Sequence, residues 1–355
     1  MSLSLTSLGW DESYQDAFEP YADSGLVPGR VGRPDRGSHL ILTADGPVPA
    51  APAPSIRTAG ERDPLALPTV GDWVAVRSGE HALIEAVLPR RTAFVRRTSG
   101  NATVGHVLAA NIDVVFLVVA LHPAPNLRRI ERFLALGWES GAQPVLVLSK
   151  ADLCDDVEAA GDLVATAAPG VDIVPVSAMT GDGLDVLATY PAGDRTVALL
   201  GVSGVGKSTL VNSLLGGTHM TTTAIRSDGK GRHTTTHREL VPLPGGGVLI
   251  DTPGLRGLSL WDAEDGLEQA FSDVEELAGK CRFRDCAHDS EPGCAVTAAV
   301  HTGMLPARRL ASYRHLQREL AHLARKQDAR LASEERRRWK AIGKSLRNQP
   351  SRPQT

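Results

Sequence analysis

The segment Gly201-Val202-Ser203-Gly204-Val205-Gly206-Lys207-Ser208 constrains this chain more than any other. It has the form G-x-x-x-x-G-K-[ST], follows the apolar run Thr196–Leu200 and opens a helical stretch from Lys207 to Leu215. Glycines there let consecutive backbone N–H groups wrap phosphate oxygens, and the helix N-terminus adds favourable partial charge. Lys207 is positioned to reach β- and γ-phosphates, Ser208 to ligate Mg²⁺, and Thr209 continues the cradle. Such a loop works at the carboxyl end of a buried parallel strand. The expected fold is therefore α/β, an open and largely parallel sheet with helices on both faces.

Apolar strands that fit this sheet begin near residue 105. They read Asp113–Ala120, Pro144–Leu148, Ile173–Val176, Thr196–Leu200, Glu239–Leu243 and Val248–Ile250, with helices opening near Asn126 and over Asp156–Ala167. The preceding segment has a different texture. Short β-type runs at His39–Thr43, Asp72–Arg77, Ala82–Leu88 and Ala93–Arg97 are separated by turn-rich Pro47–Pro54 and Gly60–Pro68, which suggests an OB-like β-barrel. Ser272–Glu275 reads as a capping box, and Leu310, Tyr313, Leu316, Leu320 and Leu323 form one apolar helical stripe. The expected division is a flexible acidic arm (1–24), the barrel (25–103), a nucleotide domain (104–271) and a helical C-terminal domain with a basic tail (272–355).

Charge and hydropathy remove other classes. The longest apolar run, Val114–Leu121, is far short of the roughly 20 residues of a membrane helix. No signal or transit peptide is visible and the cysteines are too few for a disulfide scaffold, so a cytoplasmic protein is expected, with no membrane partner. The net charge of −3 hides an asymmetry: residues 1–24 hold five acids and no Lys or Arg, whereas residues 301–355 hold 14 Lys+Arg against 4 Asp+Glu. The tail could meet a polyanion. Nothing in the sequence requires more than a monomer.

Three further motifs choose the base. Asp251-Thr252-Pro253-Gly254 has the D-x-x-G form, in which Asp251 would hold Mg²⁺ through water and the Gly254 amide would sense the γ-phosphate. Ser149-Lys150-Ala151-Asp152 has a K-x-D core. A carboxylate at Asp152 can accept from both N1–H and the 2-amino group of guanine, whereas adenine would leave it unpaired. Lys150 would lie along the base, and Ser177-Ala178 could aim the Ala178 amide at guanine O6. The motifs run from base reader to phosphate loop to switches, a circular permutation of the usual order, which close termini permit. GTP and Mg²⁺ are the expected ligands. Cys281, Cys286, His288 and Cys294, spaced C-x4-C-x-H-x5-C, form a donor set for one closed, structural Zn²⁺.

The permuted order, with Gly231-Arg232-His233-Thr234-Thr235-Thr236 between phosphate loop and D-x-x-G, resembles the ribosome small-subunit-dependent GTPase A family over about residues 25–345. The resemblance implies an N-terminal OB domain, a permuted P-loop GTPase domain and a zinc domain. It also implies GTP hydrolysis stimulated by the small ribosomal subunit, with its 16S-type rRNA, during late maturation. One departure stands out: the base reader of that family begins with Asn or Thr, and here with Ser149. A hydroxyl is shorter than an amide and is not expected to span the gap to the phosphate loop, which would loosen guanine binding.

Leu255 follows D-x-x-G where many GTPases carry a water-orienting Gln, so intrinsic turnover should be slow. His233 is the candidate to orient water, Thr235 to bind Mg²⁺ and the γ-phosphate, and Lys207 to act with them. Arg308, Arg309, Arg314 and further basic residues of the tail are candidates for rRNA phosphates. In the barrel Trp73 is the aromatic candidate for base stacking, with Arg30, Arg33, Arg36, Arg90, Arg91, Arg96 and Arg97. Two other readings stay open: a permuted GTPase acting on a different RNA or protein target, and an RNA-binding module with nucleotide as a regulatory ligand.

Overall fold

A computed structural model describes residues 4–99, 103–217, 238–251 and 263–324. The chain opens with α1 (Glu12–Ala22) and then forms a closed barrel of β1 (Val27–Pro34), β2 (His39–Thr43), β3 (Gly46–Pro52), β4 (Trp73–Arg77) and β5 (Leu83–Val87). The strand order is β1-β2-β3-β5-β4, with β3 and β5 parallel and α2 (Pro54–Arg62) between β3 and β4. Val31, Ile41, Ala50, Ile56, Val74, Val76, Ala82 and Ile84 fill the interior.

Two barrel strands depart from the sequence reading. Pro47–Pro54 is not a turn but most of β3. The N–H groups of Ala51 and Ala53 point towards β5, so Pro49 and Pro47, two and four residues before Ala51, direct their missing donors to the same side, where β3 has not yet met β5. Proline is tolerated on such an open edge. In β1, Gly29 sits where a Cβ would come within 2.4 Å of Ile41 Cγ2, so tight packing demands the glycine that disguises the strand.

The expected flexible arm is a docked element. Asp11 caps α1 by accepting from the N–H groups of Ser13 and Tyr14. Tyr14 and Phe18, one turn apart, are buried, and the rings of Trp10 and Tyr14 lie 4.7 and 5.6 Å from Trp73. Of the acids that suggested mobility, Glu12, Asp16, Glu19 and Asp23 are exposed, and Asp11 is engaged as the cap and by Arg91. Trp73 is consequently fully buried and cannot stack on a base. Arg30 is equally inaccessible: its guanidinium donates to the carbonyls of Leu8, Gly71 and Asn111 and, at 2.8 Å, to Thr196 Oγ1. One buried cation thus joins arm, barrel and the strand leading to the phosphate loop. Arg90 is spent on Asp72 and Arg91 on Asp11.

The hairpin of β6 (Ala93–Ser99) and β7 (Thr103–Ala110) spans the boundary expected at residue 103. Then come β8 (Val114–Ala120), α3 (Leu127–Glu139), β9 (Gln143–Ser149), α4 (Val157–Ala165), β10 (Asp172–Pro175), α5 (Leu184–Ala188), β11 (Thr196–Leu200), α6 (Lys207–Leu214), β12 (Glu239–Pro242) and β13 (Val248–Asp251). The strands form one sheet, β10-β9-β8-β11-β13-β12, parallel except for the edge strand β12. Along β8, Val115 and Leu117 pack with Ile130 and Leu134 of α3, while Val114, Phe116 and Val118 pack with Leu210 and Val211 of α6 on the other face. Both faces are covered, as continuous apolar strands require.

The C-terminal region contains α7 (Glu264–Ala270), α8 (Ser272–Ala278), α9 (Ala295–His301) and a helix over 307–324. The expected capping box does not form: Ser272 is already helical, the buried Phe271 holds the cap position, and no side chain caps the helix. Leu310, Tyr313, Leu316 and Leu320 are buried as the stripe predicts. Arg309 is a correction, since it is fully buried rather than offered to RNA. It donates to Glu131 of α3 at 3.2 Å, to Asp273 at 2.8 and 3.0 Å and to the carbonyls of Ala167 and Ala270, and its guanidinium lies 4.1 Å from the Phe271 ring centroid. Arg308 and Ser312 also donate to Glu131, and Arg314 pairs with Asp289. The tail from residue 325 lies outside the described residues.

Candidate nucleotide site and metal centre

The motif-bearing strands β9, β10, β11 and β13 run parallel, so Ser149, Pro175, Leu200 and Asp251 all end at the same edge of the sheet. That edge is where open α/β sheets receive ligands. Reversed chain order therefore does not separate the pieces: β8 alone stands between the base-reader strand and the phosphate-loop strand.

The phosphate loop joins β11 to α6. Gly204 and Gly206 have φ of +82° and +94°, a left-handed conformation that glycine adopts without strain. A Cβ at Gly201 would lie 2.5 Å from the Val118 carbonyl oxygen, which fixes that glycine by close approach. The Lys207 ammonium folds back over the loop and donates to the carbonyls of Gly201 and Val202, both at 2.7 Å. Val202, Ser203, Ser208 and Thr209 are at least partly accessible, as is Asp251 at the end of β13, while Val205 is buried beneath the loop.

The base-reader loop is tied directly to this cradle. The buried Ser149 hydroxyl donates to the Val205 carbonyl at 2.6 Å. The expectation that a serine is too short is overturned: the backbone of Val205 comes close enough that no longer amide is needed. Lys150 adopts a left-handed φ of 59°, and the Ala151 N–H donates to the Val176 carbonyl, linking the loops after β9 and β10. Asp152 accepts from the Ser177 hydroxyl at 2.7 Å, and that hydroxyl accepts in turn from the N–H groups of Met179 and Thr180. Ser177 thus aims the carboxylate and shapes the turn that carries Ala178, a role beyond the one assigned from sequence.

A cavity of about 200 Å³ adjoins the loop, between Val202–Val205, Lys150 and the start of α3. His122, Pro123 and Asn126 line it, residues passed over in the sequence although the H-P-A-P-N run at the carboxyl end of β8 marked the place. Gly254, His233 and Thr235 lie outside the described residues.

A family model described as RsgA GTPase matches residues 87–261. A small ribosomal subunit biogenesis GTPase RsgA of Streptomyces coelicolor is 55% identical over 349 residues, which cover 96% of this chain and 94% of that protein. The chain belongs to the RsgA GTPase family. As a member of that family it is a GTPase, and hence a hydrolase that uses GTP and Mg²⁺. Among solved structures, YjeQ from Thermotoga maritima superposes with a TM-score of 0.64 at 27% identity, covering 83% of this chain and 99% of that one. YloQ, described as a circularly permuted GTPase, gives 0.60 at 24% identity over 85% and 96%, a likeness of fold.

The second centre lies between α8 and α9. One donor atom from each of Cys281, Cys286, His288 and Cys294 falls within 4.8 Å of the others. Cys281 Sγ lies 3.8 Å from Cys294 Sγ, and each lies 3.6 Å from His288 Nδ1. A tetrahedron with Zn–S of about 2.3 Å and Zn–N of about 2.0–2.1 Å has S···S edges near ~3.8 Å and S···N edges near ~3.6 Å. The donor set and its spacing fit zinc. Burial pushes the Cys294 thiol up, but its hydrogen bonds with Thr297, His288 and Cys286 outweigh it and lower it, while burial and the two neighbouring thiols push its partner Cys286 up.

Proposed function

We propose that this GTPase binds the small ribosomal subunit through its 16S-type rRNA and hydrolyses GTP to GDP and phosphate during late subunit maturation. GTP favours the bound state and hydrolysis favours release. The observation that best supports the reading is the Ser149–Val205 hydrogen bond, which ties the loop carrying Asp152 to the phosphate loop. The relatives, named small ribosomal subunit biogenesis GTPases, support this choice of partner.

In this reading the loop amides of Gly201–Thr209 hold the phosphates, and Lys207 exchanges its two carbonyl partners for β- and γ-phosphate oxygens. Asp152 accepts from the guanine edge, Ala178 donates to O6 and Lys150 lies along the base. Ser208, Asp251 and Thr235 would hold Mg²⁺, which neutralises charge developing on the phosphates. The Gly254 amide contacts the γ-phosphate and His233 orients the attacking water. Cys281, Cys286, His288 and Cys294 would hold one structural Zn²⁺, their four donors completing its set. The protein works as a cytoplasmic monomer; among the described residues no helix is long and apolar enough to cross a membrane.

Sedimentation with purified small subunits tests the partner. The chain should pellet with a non-hydrolysable GTP analogue and remain in the supernatant with GDP. Equal pelleting in both states would contradict nucleotide control, and no pelleting in either would point to a different target.

A further inference from the structure

The loop between the first two zinc-ligand candidates, Arg282-Phe283-Arg284-Asp285, is not needed for the metal or for the nucleotide. Phe283 is 42% exposed and is the only exposed aromatic side chain among the described residues. Every other described Trp, Tyr or Phe is buried or half-buried, most of them in packed ring clusters. A lone exposed ring needs no cover on its own account, so what it can meet is decided by the groups around it.

The surroundings say what it can meet. The Arg282 guanidinium lies 5.4 Å from the Phe283 ring centroid, and Lys280, Arg282 and Arg284 are all exposed. None of the three has an ion-pair partner among the described residues. The acids nearby are mostly engaged: Glu291 accepts from the N–H groups of Ala287, Asp289 and Ser290, and Asp289 pairs with Arg314. Asp285 in the loop and Glu276 on the preceding helix are the exposed acids set against Lys280, Arg282 and Arg284 in the sequence. The Arg282 N–H also anchors the loop by donating to the Gly293 carbonyl at 3.2 Å, and a metal bound by Cys281 and Cys286 would fix its ends. Little ordering entropy then remains to be lost when a partner binds.

We propose that Phe283 is a stacking platform for an unpaired RNA base, with Lys280, Arg282 and Arg284 contacting the flanking phosphates. An aromatic face within a cationic rim is the chemistry that recognises single-stranded nucleic acid, because every base has a π-face and every linkage a charge. A protein partner would more simply be met by an apolar patch, and none surrounds Phe283. The proposal deepens the subunit reading above and rests on it.

The test is equilibrium binding of the full-length protein to small subunits with a non-hydrolysable GTP analogue, for wild type, Phe283→Ala, Phe283→Leu and Phe283→Trp. Zinc content and GTP affinity are measured on each variant. Loss of stacking should weaken binding about tenfold in Phe283→Ala and Phe283→Leu. Phe283→Trp should bind within about twofold of wild type, and zinc content and GTP affinity should not change. Wild-type affinity in Phe283→Ala would overturn the proposal, as would equal rescue by leucine, which marks a merely apolar contact. Wild type that fails to bind subunits would instead overturn the choice of partner and this inference with it.

Discussion

Ser149→Ala isolates the link between base reader and phosphate cradle. The substitution removes one hydroxyl and leaves the Val205 carbonyl buried without its donor. A buried hydrogen bond contributes about 0.5–1.5 kcal/mol net, and an abandoned buried acceptor costs about 1–3 kcal/mol. Among the described residues no other donor bonds to that carbonyl, and the hydroxyl's second neighbour, the Val119 carbonyl at 3.4 Å, is no substitute for it. A loss of about 1–2 kcal/mol is expected in the state that needs both loops ordered, the nucleotide complex. That corresponds to a roughly 5- to 30-fold rise in Kd. Fluorescent GTP and GDP analogues, with ATP as competitor, provide the assay. GTP and GDP should weaken together and the preference over ATP should persist, because Asp152 and its Ser177 partner are untouched. Unchanged affinity would refute the anchoring argument, and a lost preference for GTP would mean that Ser149 reads the base. Ser149→Asn should not bind more tightly than wild type, since the gap is already closed.

Arg309→Met should destabilise the C-terminal region by about 3 kcal/mol, the lower end for breaking a buried ion pair, because Glu131 keeps Arg308 and Ser312. The double variant with Glu131→Leu should cost far less than the sum of the singles, and additive urea midpoints would contradict the pairing. The Arg91 guanidinium bonded to Asp11 holds that carboxyl below the usual range. This stability is therefore present above about pH 4 and lost as pH falls further, and tryptophan fluorescence from the Trp10–Trp73 contact should report undocking of the arm. In Asp11→Asn, which keeps a capping side chain, the acid transition should disappear. Chelation of zinc should unfold the segment between α8 and α9 by circular dichroism and leave GTP affinity within about twofold, because the two centres share no ligand.

The α/β sheet was legible because a strand buried on both faces must be continuously apolar, a local signal with one interpretation. The barrel was half legible. β2, β4 and β5 are short, largely apolar runs bounded by turn residues, whereas Gly29 and Pro47 obey neighbours in other strands that no local pattern names. The arm misled through composition: five acids hid Tyr14 and Phe18, which share one face a turn apart. Arg30 and Arg309 misled for the converse reason, since a cation in sequence reads as surface until its carbonyls and carboxylates are assembled from distant segments. At the site, residue types and spacing pointed to the phosphate loop, the guanine reader and the four metal donors. The reach of Ser149 depended on where the Val205 backbone passes, a distance set by the packing of β9, β8 and β11 and absent from any motif.

Phosphate release from GTP, measured with and without purified small ribosomal subunits, bears most directly on the central claim. Wild type should turn over slowly alone and much faster with subunits. Lys207→Ala should lose at least a hundredfold with subunits present, and His233→Ala should lose the stimulation while still binding GTP. Subunits that leave the wild-type rate unchanged, or a Lys207→Ala variant that they stimulate fully, would contradict the account.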